Sequence, residues 1–358
     1  MNLILIIPTL IYIVSTLYVF VFKRKSNYFF LLVLSILLAY FGATYIEKIN
    51  LDFSLYKVYF DALSFTSFRD LLSFPDTLFW SIAKIFNIFF ENTPFYNYFF
   101  IIILSVFLKC VFARENVSIF LIPLFLYLIT SRYLILHDYT QLRASLAIGI
   151  SSIIFLRFLK NEKLNKVDVF LIILSVFMHI SVSVFIPLYF FINKIIEKRN
   201  FIILLFILFF CIIVGQFFSN FFQNLLTYLD GFKRVQVYID SSAQGADQIQ
   251  SYSIFQFYFL FKSLLLIFLI RSYKYLSRVD KSLVCVYIIA MCFQSAFVFN
   301  SAIGLRLASL FGYIDILVVL LPLRYKYFKD FQLIYYVGLL GVGYIFLYSS
   351  LLGIWDRL

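Results

Sequence analysis

The sequence predicts an all-α polytopic integral membrane protein, and three observations lead to that fold class. Of the 358 residues, 63% are hydrophobic and only 13% are charged, whereas about 25% are charged in a typical soluble domain. Apolar runs of about twenty residues recur along the chain, which is the length that a helix needs to cross a bilayer. The short alternating segments of a membrane β-barrel do not occur. The low charge and the repeated long apolar runs exclude a soluble globular fold.

Apolar runs divide the chain into membrane segments and connections. They lie at 2–22, 28–46, 97–113, 117–133, 141–159, 167–193, 200–217, 253–270, 282–300, 303–323 and 331–352. The first run precedes the basic residues 23–25 and has no small-residue cleavage site, so we expect a retained span and not a removed signal peptide. No internal repeat or linker is visible, so the sequence predicts a single transmembrane domain over 1–358.

The net charge of +12 is explained by membrane topology and does not indicate nucleic acid. Most Lys and Arg residues lie in short clusters between apolar runs, as the positive-inside rule describes for cytoplasmic loops. The run 167–193 fits this rule only as a hairpin of two short helices, each about 20 Å long, which break near 179–183. A break at that depth is tolerated where it lines a protein cavity. The sequence thus predicts about twelve membrane segments, both termini outside, and outer loops at 47–96 and 218–252.

Two arginines are not explained by the positive-inside rule, and they mark a candidate anion site. Arg143 and Arg306 each lie about one turn into a span from its outer end, followed by small residues that let helices approach closely. A guanidinium at that depth either snorkels to the outer headgroups or faces a cavity or a partner. In the second case, the two planar groups could bind a phosphate or pyrophosphate.

The chain contains two histidines, and both are expected at the outer level. His179 lies at the predicted break of the hairpin. It is either a hydrogen-bonded buried histidine or a functional group that accepts a proton or donates to an anion. His137 is expected in a loop, and Asp138 beside it could orient Arg143 or a sugar hydroxyl.

The sequence indicates no metal, nucleotide or disulfide site. The four cysteines lie in apolar runs without paired spacing, so we expect small core residues. The two histidines are far apart and lack the carboxylates of a metal site. No Gly-rich phosphate loop is present. We therefore expect no cofactor, no nucleotide-sugar donor and no nucleic-acid partner.

The outer loops are rich in aromatic, amide and acidic side chains. Rings that stack on sugars and polar groups that bind hydroxyls are what a glycan groove needs, but aromatic residues are also ordinary anchors at a membrane interface. The side chains concerned are Asp52, Tyr56, Tyr59, Asp61, Asp76, Tyr96, Asn97, Gln236, Tyr238, Asp240 and Gln244.

Four segments, in order, resemble the EpsG/Wzy-like polysaccharide (O-antigen) polymerase family. "NLDFSLYKVYF" is similar to the family's D-x3-Y-x3-F pattern, and "TQLRASLAIG" resembles its R-x3-A span. "FMHISVS" resembles the segment that follows, and "GLRLASLFGY" resembles a late arginine-bearing span. Their order and spacing cover about residues 45–325. The chain departs from the pattern at Gln141 and Ala144.

The resemblance implies a bacterial inner-membrane glycosyltransferase with a glycosyltransferase-C-like fold. It would transfer oligosaccharide repeat units between undecaprenyl-pyrophosphate carriers at the periplasmic face, inverting and without a metal, to extend O-antigen of lipopolysaccharide or a related polysaccharide. Its expected partners are that lipid-linked oligosaccharide, the lipid bilayer and a chain-length regulator protein. The predicted catalytic residues are Arg143, His179 and Arg306, and the predicted substrate-binding residues are Asp52, Tyr56, Asp138, Gln141 and Arg132.

Two other functions fit the same residues. A flippase or exporter of lipid-linked oligosaccharides would also need cationic residues in a cavity, although the two related halves typical of such transporters are not visible. An O-antigen ligase would use the same lipid-linked donor but transfer finished polymer to the lipid A core. The sequence leaves these alternatives open.

Overall fold

The computed structural model describes residues 2–22, 28–50, 53–90, 94–217, 256–298 and 301–355. These ranges consist of helices joined by turns and short connections, and they contain no strand. Asp52 and the predicted outer loop 218–252 lie outside the described residues.

We number the described α-helices in chain order. They are α1 Asn2–Phe22, α2 Tyr28–Ile49, α3 Phe53–Ala62, α4 Phe68–Leu71, α5 Thr77–Phe89, α6 Pro94–Asn116, α7 Ile122–Tyr133, α8 Leu142–Asn161, α9 Lys166–Met178, α10 Phe185–Ile195, α11 Lys198–Phe217, α12 Phe257–Ser272, α13 Arg278–Ala296, α14 Ser301–Ser309, α15 Gly312–Val319, α16 Leu321–Arg324 and α17 Gln332–Trp355. The chain forms two compact units, and each is described by itself: unit 1 is Met1–Ile186 with Leu320–Leu358, and unit 2 is Pro187–Val319.

Within the described ranges, seven helical stretches are long and apolar enough to cross a membrane. They are Tyr28–Ile49, Pro94–Asn116, Ile119–Thr140, Leu142–Asn161, Lys198–Phe217, Arg278–Ala296 and Lys329–Ser349. The predicted all-α polytopic membrane class is therefore confirmed. The total of about twelve segments and the glycosyltransferase-C-like arrangement stay predictions.

In unit 1, α8 is the most buried of the candidate spans. It packs against both α6 and α9, while α6 also packs along α2. Gly42 lets α2 approach Tyr139 closely, because a side chain at position 42 would overlap the tyrosine ring. The hydroxyl of Tyr139 donates to the carbonyl of Leu38 at 3.1 Å, which fixes α2 beside the connection between α7 and α8.

The predicted break in the run 167–193 is confirmed. α9 ends at Met178, His179 is extended with φ −160° and ψ 111°, and a short 3-10 helix, Ile180–Val184, leads into α10. The two α-helical arms have 13 and 11 residues, or about 20 and 17 Å, so neither alone crosses a hydrocarbon core of about 30 Å.

Two local expectations from the sequence are wrong. His137 does not lie in a loop but in a π-helix, Leu134–Thr140, that continues α7 and buries its imidazole completely. The run 303–323 is not one continuous span, because α14 ends at Ser309 and α15 begins at Gly312. An apolar pattern alone does not reveal such a change in the helical hydrogen-bonding pattern.

Unit 2 contains a pair of long helices, α11 and α13, that pack along each other. The ring of Phe201, near the start of α11, stacks on Tyr273 with centroids 3.8 Å apart. On α12, the buried ammonium of Lys262 donates to Asp315 of α15 at 2.7 Å. The hydroxyl of Tyr258 donates to the same carboxylate at 2.9 Å, so the lysine charge is compensated inside the unit.

Candidate functional site

Asp76 is the centre of a group of polar side chains in unit 1. Its Oδ2 accepts a hydrogen bond from Nη1 of Arg143 at 2.8 Å and lies 3.4 Å from Nδ1 of His179. Its Oδ1 accepts from the backbone N–H of Ile180 at 3.4 Å. Nε of Arg143 also donates to the hydroxyl of Tyr56 at 3.3 Å. We call Tyr56, Asp76, Arg143 and His179 the Asp76 cluster.

The backbone at Asp76 explains how its side chain reaches the other residues. Asp76 is the N-cap of α5, but its φ of 60° and ψ of 42° are left-handed, and its side chain makes no capping hydrogen bond. A left-handed residue with a Cβ costs on the order of 1–2 kcal/mol. The carboxylate therefore accepts no capping hydrogen bond from the first N–H groups of α5. It points instead to the start of α8 and to the start of the segment after α9.

Arg143 is held from two sides in the first turn of α8. Besides its bonds to Asp76 and Tyr56, its guanidinium carbon lies 5.8 Å from the ring centroid of Tyr56 and 5.6 Å from that of Trp80. A cation within about 6 Å of such a ring is attracted by its π-electrons. The side chain of Arg143 remains 31% exposed, so the charge is positioned by the protein and still accessible.

The charges of the cluster differ in exposure. The carboxylate of Asp76 is only 3% exposed, whereas the side chain of His179 is 22% exposed. Burial by itself raises the pKa of Asp76. The hydrogen bond and charge of His179, the charge of Arg143 and the N–H of Ile180 together outweigh burial and hold that pKa below its ordinary value of 3.8. Asp76 is therefore a stable anion at neutral pH, with two cationic or basic groups on its more open side.

Aromatic side chains form the wall behind the cluster. Trp80 lies 6.2 Å from Tyr56 and 5.1 Å from Tyr59, measured between ring centroids. Phe60 meets Tyr98 edge to face at 5.5 Å, and Phe60 and Trp80 are buried while Tyr59 is exposed. Such a wall excludes water from one side of Arg143 and lowers the local dielectric, which strengthens its interactions with anions.

The structure brings together three of the predicted site residues and places the others elsewhere. Arg143, His179 and Tyr56 meet at Asp76. Arg132 lies 5.7 Å over the ring of Phe346, and Gln141 forms the half-buried junction between the π-helix and α8. Arg306 lies on α14 in unit 2, where its carbonyl accepts from Ser309. Asp52 is outside the described residues.

Asp138 belongs to a second, sealed group in unit 1. Its Oδ1 accepts hydrogen bonds from Lys109 and Ser105, and from Ser145 at 2.6 Å. Lys109 also reaches the hydroxyl of Ser145 at 3.3 Å. Lys109 and Asp138 are at most 1% exposed. Asp138 thus orients Lys109 and not Arg143. We call Ser105, Lys109, Asp138 and Ser145 the Asp138 cluster.

Sequence reasoning missed Asp76 as the residue that joins the site. Asp76 appears only among the many polar residues of the outer loops, because nothing near it in the sequence indicates a partner 67 or 103 residues away. One local signal existed: an aspartate after a proline, directly before an amphipathic helix, is an expected N-cap. That signal predicts the position of Asp76 but not the direction of its side chain.

The described residues contain no group of three or more His, Cys, Asp or Glu side chains that could hold a metal ion.

Comparison with protein families matches residues 28–356 to the model of the EpsG family. No curated protein and no solved structure matches the chain.

Proposed function

Because the chain belongs to the EpsG family, we propose that it is a glycosyltransferase that lengthens a polysaccharide from lipid-linked precursors. The donor would be an oligosaccharide repeat unit on undecaprenyl pyrophosphate, and the acceptor a second carrier of the same kind. The observation that carries the proposal is the Asp76 cluster: a positioned guanidinium and an imidazole, both partly exposed, meet beside an aromatic wall.

Arg143 would bind the pyrophosphate of the donor. As the bond between the anomeric carbon and the diphosphate oxygen breaks, its electron pair passes to the diphosphate, and negative charge grows there. A fixed cation in a water-poor site stabilises that charge more than it stabilises the ground state, which lowers the barrier. The bond to Asp76 at 2.8 Å and the rings of Tyr56 and Trp80 supply that fixation.

His179 would serve the acceptor. A hydroxyl of the acceptor sugar attacks the anomeric carbon on the face opposite the diphosphate and inverts it, and its proton must leave as the new bond forms. General-base catalysis by a positioned imidazole contributes about 10²–10⁴-fold. His179 and Arg143 contact the same carboxylate, so base and leaving-group site are close neighbours.

The helices that carry these residues favour a site at the outer face of a bacterial inner membrane. The basic residues at 157–166 mark the predicted cytoplasmic ends of α8 and α9. His179 lies at the opposite end of α9, about 20 Å along its axis, and Arg143 lies in the first turn of α8. Arg306 stays a predicted catalytic residue, and Asp52, Gln141 and Arg132 stay predicted substrate contacts.

The test is chain growth by the purified protein in nanodiscs, where both faces are open to added substrate. Lipid-linked repeats would be isolated from a strain that lacks the gene. Wild-type protein is expected to lengthen them without a nucleotide sugar. Arg143→Ala is expected to lose about 10²–10³-fold in rate. Arg157→Ala, at an exposed position of the same helix, is the matched control and is expected to be unaffected.

Two results would contradict this proposal. In the first, wild-type protein makes no polymer in nanodiscs, and in cells the gene is needed only when the precursor must cross the membrane. The chain would then be a transporter. If Arg143→Ala inserts normally and makes polymer at the wild-type rate, the role of Arg143 is refuted. Transfer of finished polymer to a lipid A core, with no chain growth, would identify a ligase.

A further inference from the structure

We propose that Nε2 of His179 is the atom that accepts the acceptor's proton, and that Asp76 is the positioning residue that fixes the imidazole for this step. This inference rests on the proposed function and names the general base within it. It also makes a statement about the resting protein, the tautomer of His179, that can be measured without any substrate.

The tautomer follows from the geometry around Asp76. Nδ1 of His179 lies 3.4 Å from Oδ2, and an ionised carboxylate can only accept hydrogen bonds. Nδ1 must therefore carry the proton that joins the two groups. In a neutral imidazole the lone pair is then on Nε2, at the other side of the ring, and the ring itself is partly exposed.

Asp76 is well placed to orient the base and poorly placed to be the base. Its carboxylate is almost completely buried, and its two oxygens accept from Arg143 and from the N–H of Ile180 as well as facing His179. These donors stabilise the anion and reduce its tendency to take up a proton. The left-handed backbone at Asp76 is consistent with a residue held in place for its side chain, since strain of this kind concentrates at functional sites.

The groups around His179 determine how its charge can change. Arg143 from α8 and the hydroxyl of Tyr56 from α3 lie on the other side of Asp76. Lys84 on α5 is directed away, to the carbonyl of Leu63 at 2.8 Å. The carboxylate of Asp76 lies 3.4 Å from Nδ1 of His179, so the imidazolium formed by proton transfer has an adjacent counter-charge.

Proton transfer to His179 accompanies formation of the new glycosidic bond. The acceptor hydroxyl gives its proton to Nε2 while its oxygen forms the bond to the anomeric carbon. The bond from that carbon to the diphosphate oxygen breaks, and its electron pair leaves on the diphosphate. Asp76 remains ionised throughout and never takes the proton. The imidazolium returns its proton to water after the product has left.

The first experiment reads the tautomer directly. Since the chain has two histidines, ¹⁵N-histidine labelling gives only two imidazoles in a long-range ¹H–¹⁵N spectrum, and His179→Gln assigns them. In the neutral imidazole of His179 we expect the proton to be on Nδ1. In Asp76→Ala the Nε2-protonated form should appear. A wild-type His179 protonated at Nε2 would overturn the proposal.

The second experiment is a double-mutant cycle on the rate of chain growth. Asp76→Asn is expected to lower kcat about 10²-fold or more, as loss of an orienting carboxylate impairs general-base catalysis. If Asp76 acts through His179, Asp76→Asn should cost much less in the His179→Gln background. Glu47→Gln, an exposed carboxylate on α2, is the control and should leave the rate unchanged.

The two experiments separate the possible failures. Additive losses in the cycle would refute the role of Asp76 in orienting His179 while the polymerase function stands. Absence of chain growth by wild-type protein would refute the proposed function, yet the tautomer would still be tested by the spectrum. A purely structural role for Asp76 would lower the yield of folded protein without producing non-additivity in kcat.

Discussion

The Asp76 cluster and the Asp138 cluster use the same chemistry in opposite surroundings. In each, a buried aspartate holds a cation, and α8 contributes to both through Arg143 and Ser145, two residues apart. Arg143 is 31% exposed, whereas Lys109 is 1% exposed. A cation without access cannot meet a substrate. Exposure, and not the presence of an ion pair, therefore separates a candidate active site from a structural connection.

The sealed cluster fixes the part of unit 1 from which the open cluster is built. Asp138 belongs to the π-helix before α8, Lys109 to α6 and Ser145 to the first turns of α8. Their hydrogen bonds hold the turn at Gln141, and that turn sets where Arg143 begins its helix. A π-helix between regular helices is often found at functional sites. Here the π-helix contains the buried Asp138. α8 begins directly after it, with Arg143 beside Asp76.

The largest expected effect is on the sealed cluster. Lys109→Met removes the cation that pairs with Asp138 and leaves a carboxylate uncompensated in the interior, so we expect a loss of about 3–5 kcal/mol in the free energy of unfolding. Lys109→Met combined with Asp138→Asn removes both charges and should recover most of that loss. Chemical denaturation of the protein in micelles measures both. Lys160→Met, at an exposed position of α8, is the control and should change stability by less than about 0.5 kcal/mol.

One outcome would remove the distinction between the clusters. If Lys109→Met folds with wild-type stability but no longer lengthens chains, the sealed group takes part in the chemistry. Full recovery of activity by the double variant, together with its stability, would instead support a structural role.

The same substitution in the open cluster should have a smaller effect on stability. Arg143 is partly exposed, and ion pairs of this kind contribute about 0–1 kcal/mol. We therefore expect Arg143→Met to lower the free energy of unfolding by about 1 kcal/mol or less, although Asp76 loses a donor. His179 and the N–H of Ile180 still face the carboxylate. A loss as large as that of Lys109→Met, measured by the same denaturation, would mean that the open cluster is structural too.

The sequence predicted what depends on local patterns. The twenty-residue apolar runs predicted the helices, because each membrane helix must satisfy its own backbone. The positive-inside rule predicted the break at His179, because one uninterrupted crossing of 167–193 places later basic clusters on the wrong side. The same rule singled out Arg143, which has no topological reason to lie in a span.

What the sequence did not predict depends on pairing between distant segments. The contacts of Asp76 with Arg143 and His179 join the loop before α5 to α8 and α9, and periodicity contains no information about which segments meet. The partner of Asp138 was missed for a local reason. The π-helix Leu134–Thr140 has hydrogen bonds that span five residues instead of four. Asp138 therefore does not point where a regular α-helix would direct it, and it meets Lys109 and Ser105.

The smallest expected effect concerns pH, and it tests whether Asp76 is a permanent anion. Its folded-state pKa is lowered below the ordinary value of 3.8, so its ionised form stabilises the fold above that value, and this contribution is lost as pH falls from there through the folded pKa. We expect the difference in unfolding free energy between wild type and Asp76→Asn to be retained as the pH falls from 7 to about 5 and to shrink only below about pH 4. Denaturation at each pH measures it. A difference that shrinks between pH 5 and 7 would mean that Asp76 takes up a proton near neutrality, and Asp76, not His179, would then be the better candidate for the general base.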